Sequence, residues 1–149
     1  MNALASLPAL QPYVVSVLAL GLNLFGLANA TALTRAKAVE VINPEDVALN
    51  KKAAVVYEGG NDKTARYKRA HRNALENTPV FITTALVLTL MGTSAALASG
   101  LFYSYAGLRI VHSVCYVRGI QPFRTISFVI ALTIQLVVLG LIGYGAFAS

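Results

Sequence analysis

Three short runs of this chain carry side chains able to recognise and polarise a charged ligand: Arg69, Arg72, Asn73 and Glu76; Arg109, His112 and Tyr116; and the adjacent pair Arg124 and Thr125. Separations of three, four and seven residues recur within the first two runs, so on a helix each set projects from roughly one face. A guanidinium offers a planar fork to a carboxylate, and a glutamate accepts from an ammonium. With Arg35, these residues suit a zwitterionic ligand that carries several carboxylates. The same residues also have plainer uses. Lys37, Lys51, Lys52, Lys63, Lys68 and Arg118 read as cations that snorkel to lipid phosphates. Arg72, Asn73 and Glu76 equally describe a salt-bridged surface helix. His112 reads first as a hydrogen-bonded buried histidine and second as a catalytic base, and Tyr116 also fits an interfacial aromatic anchor.

Hydropathy tells what must position these side chains. The 149 residues are 56% apolar, with a mean hydropathy of +0.64, which is too oily for an ordinary soluble protein of this length. Charged residues are absent from Tyr13 to Thr34, from Asn77 to Leu108 and from Thr125 to Ser149. A spanning helix needs about 20 apolar residues, so the middle stretch is too long for one span. The tight turn Met91-Gly92-Thr93-Ser94 divides it in two. The expected architecture is therefore an all-α integral membrane protein, a bundle of four transmembrane helices forming one domain over residues 1–149.

Helix one is expected from Gln11 to Val39, with Pro12 suited to its first turn, and a turn or short helix from Asn43-Pro44-Glu45-Asp46. Glu58-Gly59-Gly60-Asn61-Asp62 breaks the chain before helix two, expected from Asp62 to Leu90. The first turns of that helix are polar and extend beyond the membrane, and Pro79 predicts a kink where polar gives way to apolar. Helix three is expected over Ala95 to Val117 and helix four over Pro122 to Ala146. Arg109 and His112 lie deep enough in helix three to be costly against lipid, so they should face into the bundle. Arg35 and Arg124 fall at the same boundary level, where all four helices converge.

The net charge of +6 follows topology and does not mark a nucleic-acid surface. Nine of the twelve basic residues lie between Arg35 and Arg72, and the other three are Arg109, Arg118 and Arg124. The positive-inside rule puts both charged loops in the cytoplasm, with both termini and the Met91 turn on the opposite side. The N-terminus has no basic n-region, so its apolar stretch reads as a retained first helix, with no cleavage expected. Cys115, the sole cysteine, has no metal-ligand spacing around it and reads as a small packed residue. Asn23, Asn29 and Gln135 sit in apolar spans, where amides find partners across helix interfaces.

The run Arg69-Ala70-His71-Arg72-Asn73-Ala74-Leu75-Glu76-Asn77, followed by Arg109-Ile110-Val111-His112-Ser113-Val114-Cys115-Tyr116, resembles the signature of the MAPEG family, the membrane-associated proteins in eicosanoid and glutathione metabolism. The likeness extends from Arg35 and Asn43-Pro44-Glu45-Asp46 through Pro122-Phe123-Arg124-Thr125, and is closest to the microsomal glutathione transferase and prostaglandin E synthase branch. It implies a homotrimer of four-helix subunits, with glutathione bound between subunits near the cytoplasmic side. It also implies glutathione contacts from Arg35, Arg72, Asn73, Glu76, His112, Tyr116, Arg124 and Thr125. Arg124 would hold the glutathione sulfur as thiolate, and the Thr125 hydroxyl would take the place of a serine found in some relatives.

The chemistry fits that implication. A thiol with a pKa of about 8.5 is only a few per cent ionised at neutral pH, and the thiolate is the nucleophile. Lowering that pKa by about two units takes about 2.7 kcal/mol, within reach of one partly desolvated arginine and a hydroxyl donor. The expected function is a membrane-bound glutathione transferase that conjugates lipophilic electrophiles from the bilayer and reduces lipid hydroperoxides. Phe128 stands where the prostaglandin synthase pattern has a tyrosine, and the spacer between Tyr116 and Pro122 is shorter, which weighs against an isomerase. The alternatives are a glutathione-dependent isomerase, a non-catalytic lipid-binding member and a small transporter.

Overall fold

The computed structural model describes residues 6–57 and 60–147. Four long helices dominate them: α1 (Leu10–Lys37), α2 (Asp62–Leu90), α3 (Ala95–Arg118) and α4 (Phe123–Phe147). Local chemistry sets each boundary. Pro12 lies in the first turn of α1, where its missing N–H is not needed. The helix stops at Lys37, two residues short of the expected end, because Val39 takes a left-handed φ of 58° that a β-branched residue adopts only under constraint. That constraint is visible. The Val39 carbonyl accepts from Ala54 N at 2.9 Å and opens a two-stranded parallel ladder, β1 (Glu40–Val41) with β2 (Ala54–Val55). A short 3-10 helix, Pro44–Ala48, fills the connection with Pro44 in its first turn, as expected of that segment.

Asn61 caps α2, its side chain accepting from the Lys63 and Thr64 N–H groups at 3.0 Å each. Its own N–H donates to Glu40 Oε1 at 2.9 Å, which ties the start of α2 to the loop. Of the expected break, Glu58 and Gly59 lie outside the described residues. Gly60 (φ 70°) and the Asn61 cap supply the rest of it. α2 runs unbroken through Pro79 to Leu90, the two bounds expected from sequence. The turn to α3 uses Gly92 at φ 78° and the side chain of Ser94 as N-cap. Gly119, at φ 71°, closes α3 one residue later than expected.

Alanines and a few large side chains fill the interior, and many large apolar residues cover the outside. Ala9, Ala74, Ala85, Ala98 and Ala131 are each at most 1% exposed, with Leu20, Phe102 and Val138 fully buried among them. Phe81 stacks on Tyr105 with ring centroids 3.7 Å apart and meets Phe102 edge-on at 5.8 Å. By contrast Leu18, Leu22, Phe25 and Leu33 on α1, and Val129 and Leu136 on α4, face outward. Helices that pack through small residues while presenting large apolar ones outward are built for a lipid surrounding. α1 and α4 are long and apolar enough to cross a membrane. Arg109 and His112 make α3 more polar, and the Asp62–Glu76 half of α2 is charged.

Two of the three amides in the apolar spans bridge helices as expected. Asn23 donates to Ser113 Oγ at 3.0 Å, joining α1 to α3, and Gln135 to Thr84 Oγ1 at 3.0 Å, joining α4 to α2. Asn29 departs from the expectation. Its amide turns back to the Phe25 carbonyl of its own helix at 2.8 Å, on an exposed face. Cys115 is buried as a free thiol.

Candidate functional site

Ala70 and Ala74 set the rotation of α2. Both are buried, at 2% and 1% exposure, and pack with Leu27. That rotation half-buries Asn73 and turns Arg72 and Glu76 outward. On the facing α3, Arg109 is 1% exposed, and its Nη2 donates to the Asn73 carbonyl at 3.1 Å and to Asn73 Oδ1 at 2.8 Å. One bidentate contact from a buried cation therefore fixes α2 against α3, and the expectation that Arg109 faces the bundle holds.

One turn further along α3, His112 is 5% exposed, and its Nδ1–H donates to the Arg124 carbonyl at 2.8 Å. The bond couples α3 to the first turn of α4 and leaves Nε2 buried, with no hydrogen-bond partner among the described residues. The ring sits 5.7 Å from Tyr116 and 5.6 Å from Phe128. Arg124, half-buried, lays its guanidinium over the Tyr116 ring with Cζ 4.9 Å from the centroid, a cation–π contact. Thr125 follows on the exposed side.

A residue that sequence reasoning passed over completes this end. Gln121, in the α3–α4 turn, takes the amide orientation that meets both neighbours. Its oxygen accepts from Arg124 Nη2 at 2.6 Å and Nε at 3.2 Å, and its nitrogen donates to Thr125 Oγ1 at 3.1 Å. The opposite orientation would set the NH2 group against a guanidinium, donor to donor. The available signal was spacing, since Gln121 precedes Arg124 by three residues and Thr125 by four.

The eight sequence-predicted residues are not all drawn together. Asn73, through Arg109, belongs with the α2–α3 junction, and His112, Tyr116, Arg124 and Thr125 gather where α3 meets α4. Arg72 and Glu76 pair with each other, Nε to Oε1 at 3.0 Å, with their side chains 81% and 57% exposed. Arg35 lines a separate recess with Thr31, Glu40, Thr64 and Lys68. Between the Glu76 turn and α4 lies a largely apolar cavity of about 240 Å³, lined by Val80, Arg109, Phe128, Leu132 and Leu136 among others.

A helical bundle with lipid-compatible outer faces and a cationic, hydrogen-bonded cluster at one end has the make-up of a membrane protein with a polar site. The family model of the MAPEG family matches residues 13–144, and the chain belongs to that family. It is 34% identical to Microsomal glutathione S-transferase 1 of Homo sapiens over 113 residues, covering 74% of this chain and 73% of that protein. Against Microsomal glutathione S-transferase 1 of Rattus norvegicus it is 32% identical over 133 residues, 87% of this chain and 84% of the relative. Similarity extends to Prostaglandin E synthase of Equus caballus at 25% identity over 130 residues, again 87% and 84% of the two chains.

Proposed function

We propose that this protein is a membrane-bound glutathione transferase that ionises glutathione beside Arg124 and directs the sulfur to lipophilic electrophiles and lipid hydroperoxides from the bilayer. The observation that carries the reading is the state of the Arg124 guanidinium. Among the described residues no carboxylate pairs with it. Its neighbours are the Tyr116 ring and a neutral amide, so its charge is left for a ligand. A thiolate placed beside it and the Thr125 hydroxyl gains both an ionic and a hydrogen-bonded partner, which favours the ionised form. With a carbon electrophile the sulfur lone pair attacks carbon and the leaving group departs with the bonding pair. With a hydroperoxide it attacks the terminal oxygen, the O–O bond breaks to release the alcohol, and a second glutathione converts the sulfenic acid to disulfide and water. The apolar cavity beside Phe128 and Leu132 suits the lipophile, one helical turn deeper than Arg124.

Arg35, Arg72, Asn73, Glu76, His112, Tyr116, Arg124 and Thr125 are the proposed glutathione contacts, with Arg124 and Thr125 as the catalytic pair. The outward attitude of Arg72 and Glu76, and the distinct recess of Arg35, support a site completed by a second copy of the chain. We accordingly infer a homotrimer of single-domain subunits, each crossing the membrane four times. Its site faces the cytoplasm, and its termini lie on the other side. The relatives named as glutathione transferases and the absence of a tyrosine at Phe128 favour conjugation over isomerisation.

Conjugation tests the reading. Purified protein in liposomes, given glutathione and a bilayer-soluble aromatic electrophile with no gradient imposed, is expected to form the thioether at a rate proportional to protein. Glutathione-independent flux of a substrate, with no thioether, would assign the chain to transport instead.

A further inference from the structure

The turn that delivers α4 leaves Gln121 in contact with both members of the proposed catalytic pair. We propose that Gln121 is a positioning residue that sets the thiolate-stabilising power of Arg124 and Thr125; the proposal rests on the glutathione reading of that site. Its oxygen engages the Nε and Nη2 edge of the Arg124 guanidinium, at 3.2 and 2.6 Å, while the Tyr116 ring lies under the face. One edge and one face are thereby fixed, and Nη1 remains for an incoming anion. On the other side the Gln121 NH2 donates to Thr125 Oγ1 at 3.1 Å. That bond occupies a lone pair of the hydroxyl and leaves its proton free to point at sulfur.

An amide does here what a carboxylate would not. Glutamate at this position would grip the guanidinium in the same bidentate manner, and more tightly. It would also neutralise the cation and repel a thiolate a few ångströms away, so the bound thiol would become less acidic. A neutral acceptor holds the geometry and leaves the charge undiminished. The NH2 group adds a second distinction, because a carboxylate has no donor for Thr125 and would instead take the hydroxyl proton that the sulfur needs.

The proposal separates charge from geometry in two variants. Gln121→Met keeps the length of the side chain without either hydrogen bond, and Gln121→Glu keeps the grip and removes the neutrality. The readout is the apparent pKa of bound glutathione, from the pH dependence of thiolate absorbance in detergent-purified protein, with glutathione affinity measured in parallel. Gln121→Met should raise the apparent pKa of the bound thiol by about one unit, cutting the thiolate fraction at neutral pH about threefold. Gln121→Glu should reduce it further, although its guanidinium is held at least as firmly. A glutamate variant that ionises glutathione as well as wild type would overturn the proposal, as would a methionine variant with an unshifted thiol. A wild-type protein that binds glutathione with no thiolate signal would instead overturn the underlying assignment of Arg124.

Discussion

The exposed stripe on α2 and the cluster where α3 meets α4 each present an arginine, yet they hold its charge in opposite ways. Arg72 meets its counter-ion four residues along its own helix, in solvent, and such pairs contribute only about 0.2–1 kcal/mol. Arg124 finds an aromatic face, a neutral amide and no carboxylate among the described residues. Its backbone is anchored as well, because the Arg124 carbonyl accepts both from His112 and from Ser127 Oγ at 3.1 Å. A compensated, solvated cation is suited to recognition, where its pair can exchange for a ligand carboxylate. An uncompensated cation in a fixed frame is suited to stabilising charge that develops during a reaction.

The largest effect expected from this contrast is on Arg124. Arg124→Ala should reduce conjugation by about a hundredfold, the equivalent of about 2.7 kcal/mol, with the protein's elution in detergent unchanged. Undiminished turnover would erase the distinction between the two regions. Arg109 joins them structurally, and Arg109→Met leaves Asn73 Oδ1 without its donor. A loss of about 1–3 kcal/mol in stability is expected, visible as a lower thermal midpoint in detergent. An unchanged midpoint would mean that α2 and α3 are joined by packing alone.

A smaller change should follow from Glu76→Gln, which keeps the shape and removes the charge offered to an ammonium. Glutathione binding should weaken by about tenfold, or about 1.4 kcal/mol, with the pKa of the bound thiol unmoved; a shifted thiol would place Glu76 with the catalytic group. Least of all, Tyr116→Leu removes the ring beneath Arg124, and a loss of about 0.5–1 kcal/mol, a two- to fivefold fall in turnover, is expected. A loss as large as that of Arg124→Ala would give the tyrosine a chemical role beyond holding the guanidinium.

Sequence made the four helices readable where punctuation was local. Asn61 and Gly92 bracket α2, and both of its ends fell where the sequence put them. The end of α1 was less legible, because Val39 leaves the helix in a left-handed conformation imposed by a strand pairing of two residues. A ladder that short has no alternation to detect. In the site, the inward aim of Arg109 and His112 followed from the cost of facing lipid, and burial of both agrees. The separation of Arg35 from Arg124 did not follow, since equal depth on two helices says nothing about which neighbour lies between them. Gln121 escaped because one glutamine in a turn has no periodic signature, and its partners are chosen by the path of the chain after Gly119. Asn29 shows the reverse case, a span amide satisfied within its own helix.

Ultraviolet absorbance of thiolate, recorded as glutathione is titrated into the purified protein, tests the central claim most directly. Wild type should develop the signal at neutral pH with saturating behaviour, and Arg124→Ala should bind glutathione without it. Equal thiolate signals in the two proteins would contradict the account, because the uncompensated guanidinium would then have no part in ionising the sulfur.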